Sequence, residues 1–492
     1  MAYPMPNPEP FTAPLATLQV HFDLFATDGV SLQAQELTRA LTRLGWPVHL
    51  CASDVPPETP GLALPELSYR SAEALALRRR IFAPASYEPA RDRRSVESDL
   101  LEDIAARAVP IRRRVEQHVR EHDIRVLHIR NLMSLPYNLP ATLAFYELAL
   151  ARPELGFVFQ HHDLYWEGPN ARNFHTPYRR VAELMSRIMC PDLPNAMNVV
   201  INPIAAEELR ARTGIEGVVV PDGFDFEREK SSIDDHRFRQ DLEILVGDGP
   251  SVSAEDIVVA MPARVAINKA IELAIQFVGA LEKRRAALES APDGVGSRRR
   301  RFSKESRVVL LLPQGAGLDE NVDYFARLLA YARQSGITLA YAGNAVVADL
   351  QYVPGDTKHY PFYGTYQAAD IVCYPPEHEG FGNQLIESVW ARRPLVLLEY
   401  PVFKRYLRDH VPHYISLGDV DQLGELPDSG GLHLLDEKIL DAALDRTLTV
   451  LEDHGLEARW TEENAKVLRE LCGMDAVLDR YIDLYQSAAG PR

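Results

Sequence analysis

Four apolar residues, Ile371-Val-Cys-Tyr374, run into a turn that holds two glycines, Gly380 and Gly382. The turn leads into a segment whose apolar residues, Leu385, Ile386, Val389 and Trp390, recur at helical spacing. The pattern predicts a buried strand, a glycine turn whose backbone can approach a ligand closely, and a helix. Unpaired amides and the helix dipole then point at one place, which makes an anion site. The stretch Glu377 to Glu387 also carries two carboxylates, Glu379 just before the helix and Glu387 in its second turn. Carboxylates beside a phosphate site suit a ligand with both phosphate and hydroxyl groups.

The same alternation of short strand and helix recurs along the chain. Thr17 to Phe25 is β-rich, Thr27-Asp-Gly-Val30 is a turn, and Leu32, Leu37, Leu41 and Leu44 form one helical face that stops at Gly45. Val48–Cys51 follows as a strand, giving the β-α-β start of a doubly wound domain. Further strands are expected at 126–130, 157–160, 198–201 and 217–220, the last ending at the turn Pro221-Asp-Gly223. A second series takes 257–261, 307–312, 338–341, 371–374 and 395–398, with a helix from about Ala270 to Arg285. Two such series predict an α/β chain of two doubly wound, Rossmann-like domains facing across a cleft. The expected division is 1–225, 226–456 and a helical tail, 457–492, packing back toward the N-terminal domain. Residues 1 to about 16 are expected as a loose arm, 225–253 as an acidic connection without a clear strand, and 290–305 as an exposed loop around the run Arg298–Arg301. The arginine-rich segments between 72 and 121 are expected as solvated helix surface.

Bulk properties narrow the classes. The 492 residues suffice for two large domains. A net charge of −17 disfavours nucleic acid and anionic membrane surfaces as partners. No apolar run approaches the roughly 20 residues that cross a bilayer, and the proline-rich start lacks the basic-then-apolar pattern of a secretory signal. The four cysteines, Cys51, Cys190, Cys373 and Cys472, show no paired spacing, which argues for a reducing compartment and against a structural zinc site. The expectation is a soluble, cytoplasmic protein, monomer or homodimer, with no metal and no cofactor.

Several residues are candidates for chemistry. Arg264 and Lys269 lie after a strand and before a helix, where two cations suit a diphosphate; they equally suit a solvated surface pair. His161, His162 and Asp163 sit at a strand end, the usual place of function in open α/β sheets. A zinc site lacks an obvious third and fourth ligand there, so an acid/base or orienting role fits better, with a structural hydrogen-bonded histidine as the alternative. Gly29 allows close approach in the first turn, or serves an ordinary strand-to-helix turn. No G-x-G-x-x-G follows the first strand, and neither a Walker A pattern nor a G-x-S-x-G elbow is present, which disfavours NAD binding, P-loop chemistry and α/β-hydrolases.

Together these residues resemble the retaining glycosyltransferases of family 4, with the GT-B fold, over about residues 17 to 486. The most specific motif is Glu379-Gly-Phe-Gly382 followed by Glu387, with Tyr363 to Asp370 similar to the family's preceding helix. Arg264 and Lys269 sit where the family keeps its diphosphate-binding pair. Val219-Val-Pro-Asp-Gly223, Asp28-Gly-Val30 and Gln160-His-His-Asp163 resemble the family's V-x-P-N-G, G-G-V and T-x-H-D turns. Gly380-Phe-Gly-Asn383, Arg392-Arg-Pro394 and Tyr400-Pro-Val-Phe403 are similar to the mannosylglucosylglycerate synthase-like members. Three positions depart from the pattern: Asp28, Asp222 in place of the common asparagine, and Ala270 where glycine is usual.

The resemblance implies roles. Glu379 would hold donor-sugar hydroxyls, Phe381, Gly382 and Asn383 would surround the donor with amides, and Glu387 would bind the ribose. Arg264 and Lys269 would neutralise the leaving diphosphate, His162 would contact the sugar near the reacting carbon, with His161 and Asp163 beside it, and Gly29 would let the first loop approach. It implies metal-independent transfer of a hexosyl group from a nucleotide-diphosphate sugar, GDP-mannose or UDP-glucose, to a small soluble acceptor such as a sugar, polyol or sugar acid. The competing classes are a GT-B epimerase or phosphorylase and a non-catalytic sugar-nucleotide-binding regulator.

Overall fold

The computed structural model describes residues 14–25, 29–83, 92–168, 170–228, 233–314, 321–347 and 359–490. The expected arm at the N-terminus, up to residue 13, and Asp28 of the first turn lie outside the described residues. The chain divides into two compact units, residues 1–225 with 474–492, and residues 226–473.

The first unit is built on a seven-stranded parallel sheet: β1 (Thr17–Val20), β2 (Val48–Ala52), β3 (Gly61–Ala63), β4 (Val126–Arg130), β5 (Gly156–His161), β6 (Ala196–Val200) and β7 (Val218–Val219). Their order is β3-β2-β1-β4-β5-β6-β7, so the strand order reverses between β1 and β4. β4 and β5 are buried along their whole length, as a central parallel pair covered on both faces must be. The first strand ends at Val20, short of the expected Phe25, because the chain from His21 onward leaves the sheet to begin the loop ahead of the helix Gly29–Arg43. The long helix Arg93–Glu121 starts under an Asp92 cap that accepts from the Ser95 amide at 3.2 Å.

The last helix, Met474–Ala489, belongs to this unit although it is made last; the helix before it, His454–Cys472, belongs to the other. Met474–Ala489 packs on β5 so closely that a Cβ at Gly156 would lie 2.6 Å from the Ala488 carbonyl carbon, so only glycine fits at that position. It also delivers Tyr485 into a buried polar chain. The Tyr485 hydroxyl lies 2.7 Å from His128 Nδ1, His128 Nε2 lies 2.8 Å from Gln160 Oε1, and Arg130 donates to Gln19 Oε1 at 2.8 Å. Arg130 is 1% exposed. Burial pushes its guanidinium below the usual range, opposed by Tyr485, Tyr481 and Asp222.

The second unit has a seven-stranded sheet of order β16-β15-β14-β9-β10-β11-β8. Its strands are β8 (Glu243–Val246), β9 (Ile257–Ala260), β10 (Val308–Leu312), β11 (Thr338–Tyr341), β14 (Ile371–Tyr374), β15 (Leu395–Glu399) and β16 (Ile415–Asp419), with a small parallel pair, β12 (Val346–Val347) and β13 (Tyr360–Pro361). All neighbours in the large sheet are parallel except β8, which runs antiparallel along β11. The connection expected to lack a strand therefore holds the helix Asp235–Asp241 and an edge strand. The apolar part of that strand is only Ile244-Leu-Val246, too short to stand out beside its acidic neighbours.

The loop around Arg298–Arg301 is not the exposed segment the sequence predicts. Arg300 is 7% exposed and donates through Nε to both oxygens of Asp370 at 2.9 and 3.1 Å. Arg298 pairs with Asp235 and bonds the Gln367 carbonyl. Arg239, itself 1% exposed, donates to both Asp235 oxygens at 3.2 Å and lies 3.7 Å from Asp370. The charge run folds inward because two carboxylates far away in sequence need three guanidinium groups. All four cysteines are buried free thiols, and among the described residues no helix is long and apolar enough to cross a membrane.

Removing one member of a buried ion pair strands its partner, at about 3–5 kcal/mol. Arg300→Ala should lower the stability of the second unit by that amount in urea unfolding. The exposed neighbour Arg301→Ala should stay within about 0.5 kcal/mol of the parent.

Candidate active site

In the second unit the chain runs from β9 outward through β10 and β11, and β14, β15 and β16 extend the sheet the other way. The strand order thus reverses between β9 and β14. At such a switch point the loops leaving the carboxyl ends of the two strands part and open a crevice, the usual ligand site of an open α/β sheet. The loop after β9 carries Arg264 and Lys269; the loop after β14 carries Glu379.

The two loops are stitched together. The Glu377 amide donates to the Asn268 carbonyl at 3.0 Å, and Asn268 Nδ2 donates to the His378 carbonyl at 3.3 Å. Lys269 Nζ forms an ion pair with Glu379 Oε1, with side chains only 9% and 15% exposed. The Tyr374 hydroxyl donates to the same Glu379 oxygen and lies 3.0 Å from Gln384 Oε1. Burial, then the nearby Glu379, hold that tyrosine well above the usual phenol range, so it stays a donor. Glu379 Oε2 has no hydrogen-bond partner among the described residues. Arg264 is exposed and likewise has none. Ala270, after Lys269, stands in the left-handed region at φ 46°, ψ 51°, a conformation in which glycine is the relaxed residue.

Gly382 turns the chain from the loop into the helix Asn383–Trp390 at φ 114°. A Cβ there would lie 2.1 Å from the Tyr400 hydroxyl, which itself donates to the Phe381 carbonyl at 2.8 Å. Both the backbone angle and the space demand glycine. No side chain caps this helix, so its first amides lack intrahelical partners and face outward from the turn. Asn383 Oδ1 is buried without a partner among the described residues. Glu387 lies deeper in the same helix, 4% exposed, and accepts from the Tyr366 hydroxyl.

In the first unit, His162 and Asp163 follow the carboxyl end of β5. Asn131, after β4, organises both: its Oδ1 accepts from the His162 amide at 2.8 Å and the Asp163 amide at 3.3 Å, and its Nδ2 donates to Asp163 Oδ2 at 3.1 Å. His162 Nδ1 lies 3.2 Å from Asp222 Oδ1, and its Nε2 is buried without a hydrogen-bond partner among the described residues. His161 is 1% exposed and its Nε2 meets Asn198 Oδ1 at 2.8 Å, which ties β5 to β6. Burial holds its ring at about 4, so it stays neutral. Gly29 is the first residue of its helix. Sequence reasoning missed Asn131, and it gave Tyr366, Tyr374 and Tyr400 no role of their own although they lie within stretches it singled out. Asp222 was seen only as a departure from a turn pattern.

Two Rossmann-like units of this topology, each with its candidate residues at the carboxyl ends of its strands, define the GT-B class. The sequence model of Glycosyltransferase Family 4 matches residues 27–228. The mannosylglucosylglycerate synthase of Thermotoga maritima is 31% identical over 91% of this chain and 94% of its own length. That of Petrotoga mobilis is 28% identical over 81% and 86%. The crystal structure of a glycosyltransferase from Rickettsia africae ESF-5 superposes at a TM-score of 0.57 and 12% identity, covering 98% of this chain and 100% of that one. The chain belongs to glycosyltransferase family 4, and it is a glycosyltransferase.

Gly382→Ala should lower stability by about 1–3 kcal/mol and remove most transfer activity, because the added methyl meets the Tyr400 hydroxyl. Adding Tyr400→Phe removes the clash but not the backbone strain, so thermal unfolding of the double variant should recover only part of the loss.

Proposed function

We propose that the chain is a retaining hexosyltransferase that takes mannose from GDP-mannose, or glucose from UDP-glucose, and joins it to a hydroxyl of a small soluble sugar acid. The observation that carries this reading is the Lys269–Glu379 pair before an uncapped helix start, with Arg264, unpartnered among the described residues, in the same loop as Lys269. Those groups are what a sugar diphosphate requires: two cations and free amides for phosphate, and a carboxylate oxygen for sugar hydroxyls. The names of the two relatives, both mannosylglucosylglycerate synthases, support mannose and a sugar-acid acceptor.

In this reading Arg264 and Lys269 bind the diphosphate, and Lys269 keeps two further N–H donors beyond the one given to Glu379. Glu379 Oε2 takes hydroxyls of the sugar, and Glu387, fixed by Tyr366, takes those of the ribose. As the glycosidic bond to the nucleotide breaks, negative charge grows on the departing phosphate. Arg264, Lys269 and the amides after Gly382 stabilise it in place, the kind of preorganised electrostatic term that dominates many enzymes. With protein cations in that position, transfer proceeds without a divalent ion. The acceptor hydroxyl attacks the face the diphosphate leaves and gives its proton to the departing phosphate oxygen, so configuration is retained. The family resemblance assigns His162 the contact with the sugar near the reacting carbon.

The first unit offers a place for the acceptor. A cavity of about 340 Å³ lies where the chain leaves the carboxyl ends of β3 and β4, lined by Glu66, Arg78, Arg107, Tyr137 and Asn138 among others. Arg78 lies over the Tyr137 ring at 5.4 Å. A guanidinium beside an aromatic face suits a molecule with a carboxylate and a sugar ring.

A donor panel of UDP-glucose, GDP-mannose, ADP-glucose and UDP-GlcNAc should give one marked melting shift, about 2.7 kcal/mol of added stability at 100 times its Kd. Lys269→Ala should then reduce kcat by about 10²–10³-fold, with turnover of the parent unaffected by chelator and the product's anomeric configuration retained by NMR. Unchanged kcat in Lys269→Ala would sink the diphosphate assignment. Separately, Arg78→Ala should raise KM for the acid acceptor by about tenfold or more, as loss of a charge-assisted contact does, while the donor melting shift stays the same.

A further inference from the structure

Three histidines meet away from these loops. His49 is the second residue of β2, at the strand's amino end, opposite the end from which the candidate residues project. His118 lies in the last turn of the helix Arg93–Glu121, and His122 follows it by four residues, on the same face at the helix's end. His49 Nδ1 lies 3.2 Å from His118 Nε2. The rings of His49 and His122, and of His118 and His122, have centroids 4.4 Å apart. One nitrogen from each ring falls within 4.8 Å of the other two.

We propose that His49, His118 and His122 form a binding site for a zinc-class divalent cation. Tetrahedral zinc with Zn–N bonds of 2.0–2.1 Å places its nitrogen ligands about 3.3 Å apart, which is the His49–His118 separation. A neutral imidazole offers one N–H and one lone pair, so a His49–His118 hydrogen bond serves one pair and leaves the third converging nitrogen over. A cation takes all three lone pairs at once. The end of a long helix adds its partial negative charge to the same place. His118 is buried, His49 half-buried and His122 exposed, so an ion can enter from solvent and keep a water as its fourth ligand. The bound ion joins the start of β2 to the end of the long helix. No cysteine takes part, so cysteine spacing gave no sign of the site. The proposal does not rest on the donor chemistry, which lies at the other ends of the strands.

The test uses the full chain, free of any affinity tag containing histidine and stripped with chelator. Titration with Co²⁺ should give the intense visible absorption of tetrahedral cobalt at one equivalent, and Zn²⁺ should displace it and raise the melting temperature. His122→Ala, at an exposed position, should keep the fold and its glycosyl transfer while weakening Co²⁺ binding by more than the tenfold lost when even an outer partner of a ligand is removed. His49→Asn is the second variant and should behave alike. Absence of the tetrahedral spectrum in the parent, or equal binding by parent and both variants, overturns the site.

Discussion

The carboxylate of Asp370 is the contact on which the donor loops depend. Its Oδ2 accepts from the Val258 amide at 2.9 Å, and its own amide donates to the Val258 carbonyl at 2.8 Å. Asp370 therefore fastens the start of β14 to the start of β9, the two strands between which the order reverses. With the amino ends joined in that register, the carboxyl ends deliver Lys269 and Glu379 to each other across 110 residues of sequence. A carboxylate that is 1% exposed would be expelled from such a place unless neutralised. Arg300 and Arg239 supply the charge, and Arg393 closes the same corner through the Tyr366 and Gln367 carbonyls at 3.1 and 3.0 Å. Because Tyr366 in turn holds Glu387, a structural ion cluster behind the sheet and a ligand carboxylate in front of it share one short helix, Phe362–Ala368.

The pairing of Lys269 with Glu379 has a consequence for binding. Two opposite charges, both more than four-fifths buried, offset part of each other's desolvation. Under the proposed function a diphosphate would not have to break the pair, since an ammonium has three donors and a carboxylate two oxygens. Tyr374 keeps Oε1 engaged and the carboxylate aimed. A ligand bound as proposed would meet a prepared set of donors and acceptors with little left to reorganise, the condition under which electrostatic stabilisation is largest.

How much of this was legible in the sequence follows from distance along the chain. The strand, glycine turn and helix of 371–390 could be read because apolar period, turn glycines and both carboxylates fall within twenty residues. The role of Gly382 as a left-handed turn could be read for the same reason, but not Tyr400, whose hydroxyl makes the space unforgiving. The loop around Arg298–Arg301 was misjudged because a charge run is ordinarily solvated, and its partners Asp235 and Asp370 lie 63 and 70 or more residues away. The edge strand β8 was missed because an antiparallel edge needs little apolar sequence: its partner β11 is itself buried and supplies the ladder. The histidine cluster shows the same limit, since only the His118 and His122 spacing is local.

The turn ending in Gly223 shows how a departure from a pattern acquires physical content. Where family 4 commonly has asparagine, this chain has Asp222, 3.2 Å from His162 Nδ1. An asparagine amide could donate or accept there and would leave the imidazole tautomer open. A carboxylate only accepts, and Asp222 Oδ1 is buried without a hydrogen-bond partner among the described residues, so its tie to the ring is charge at close range. The other ring nitrogen, Nε2, is also buried and without a hydrogen-bond partner among the described residues. In the proposed function a sugar hydroxyl would be its partner. The substitution thus sets a carboxylate rather than an amide beside the ring, while the Asn131 bond to the His162 amide fixes where its backbone stands.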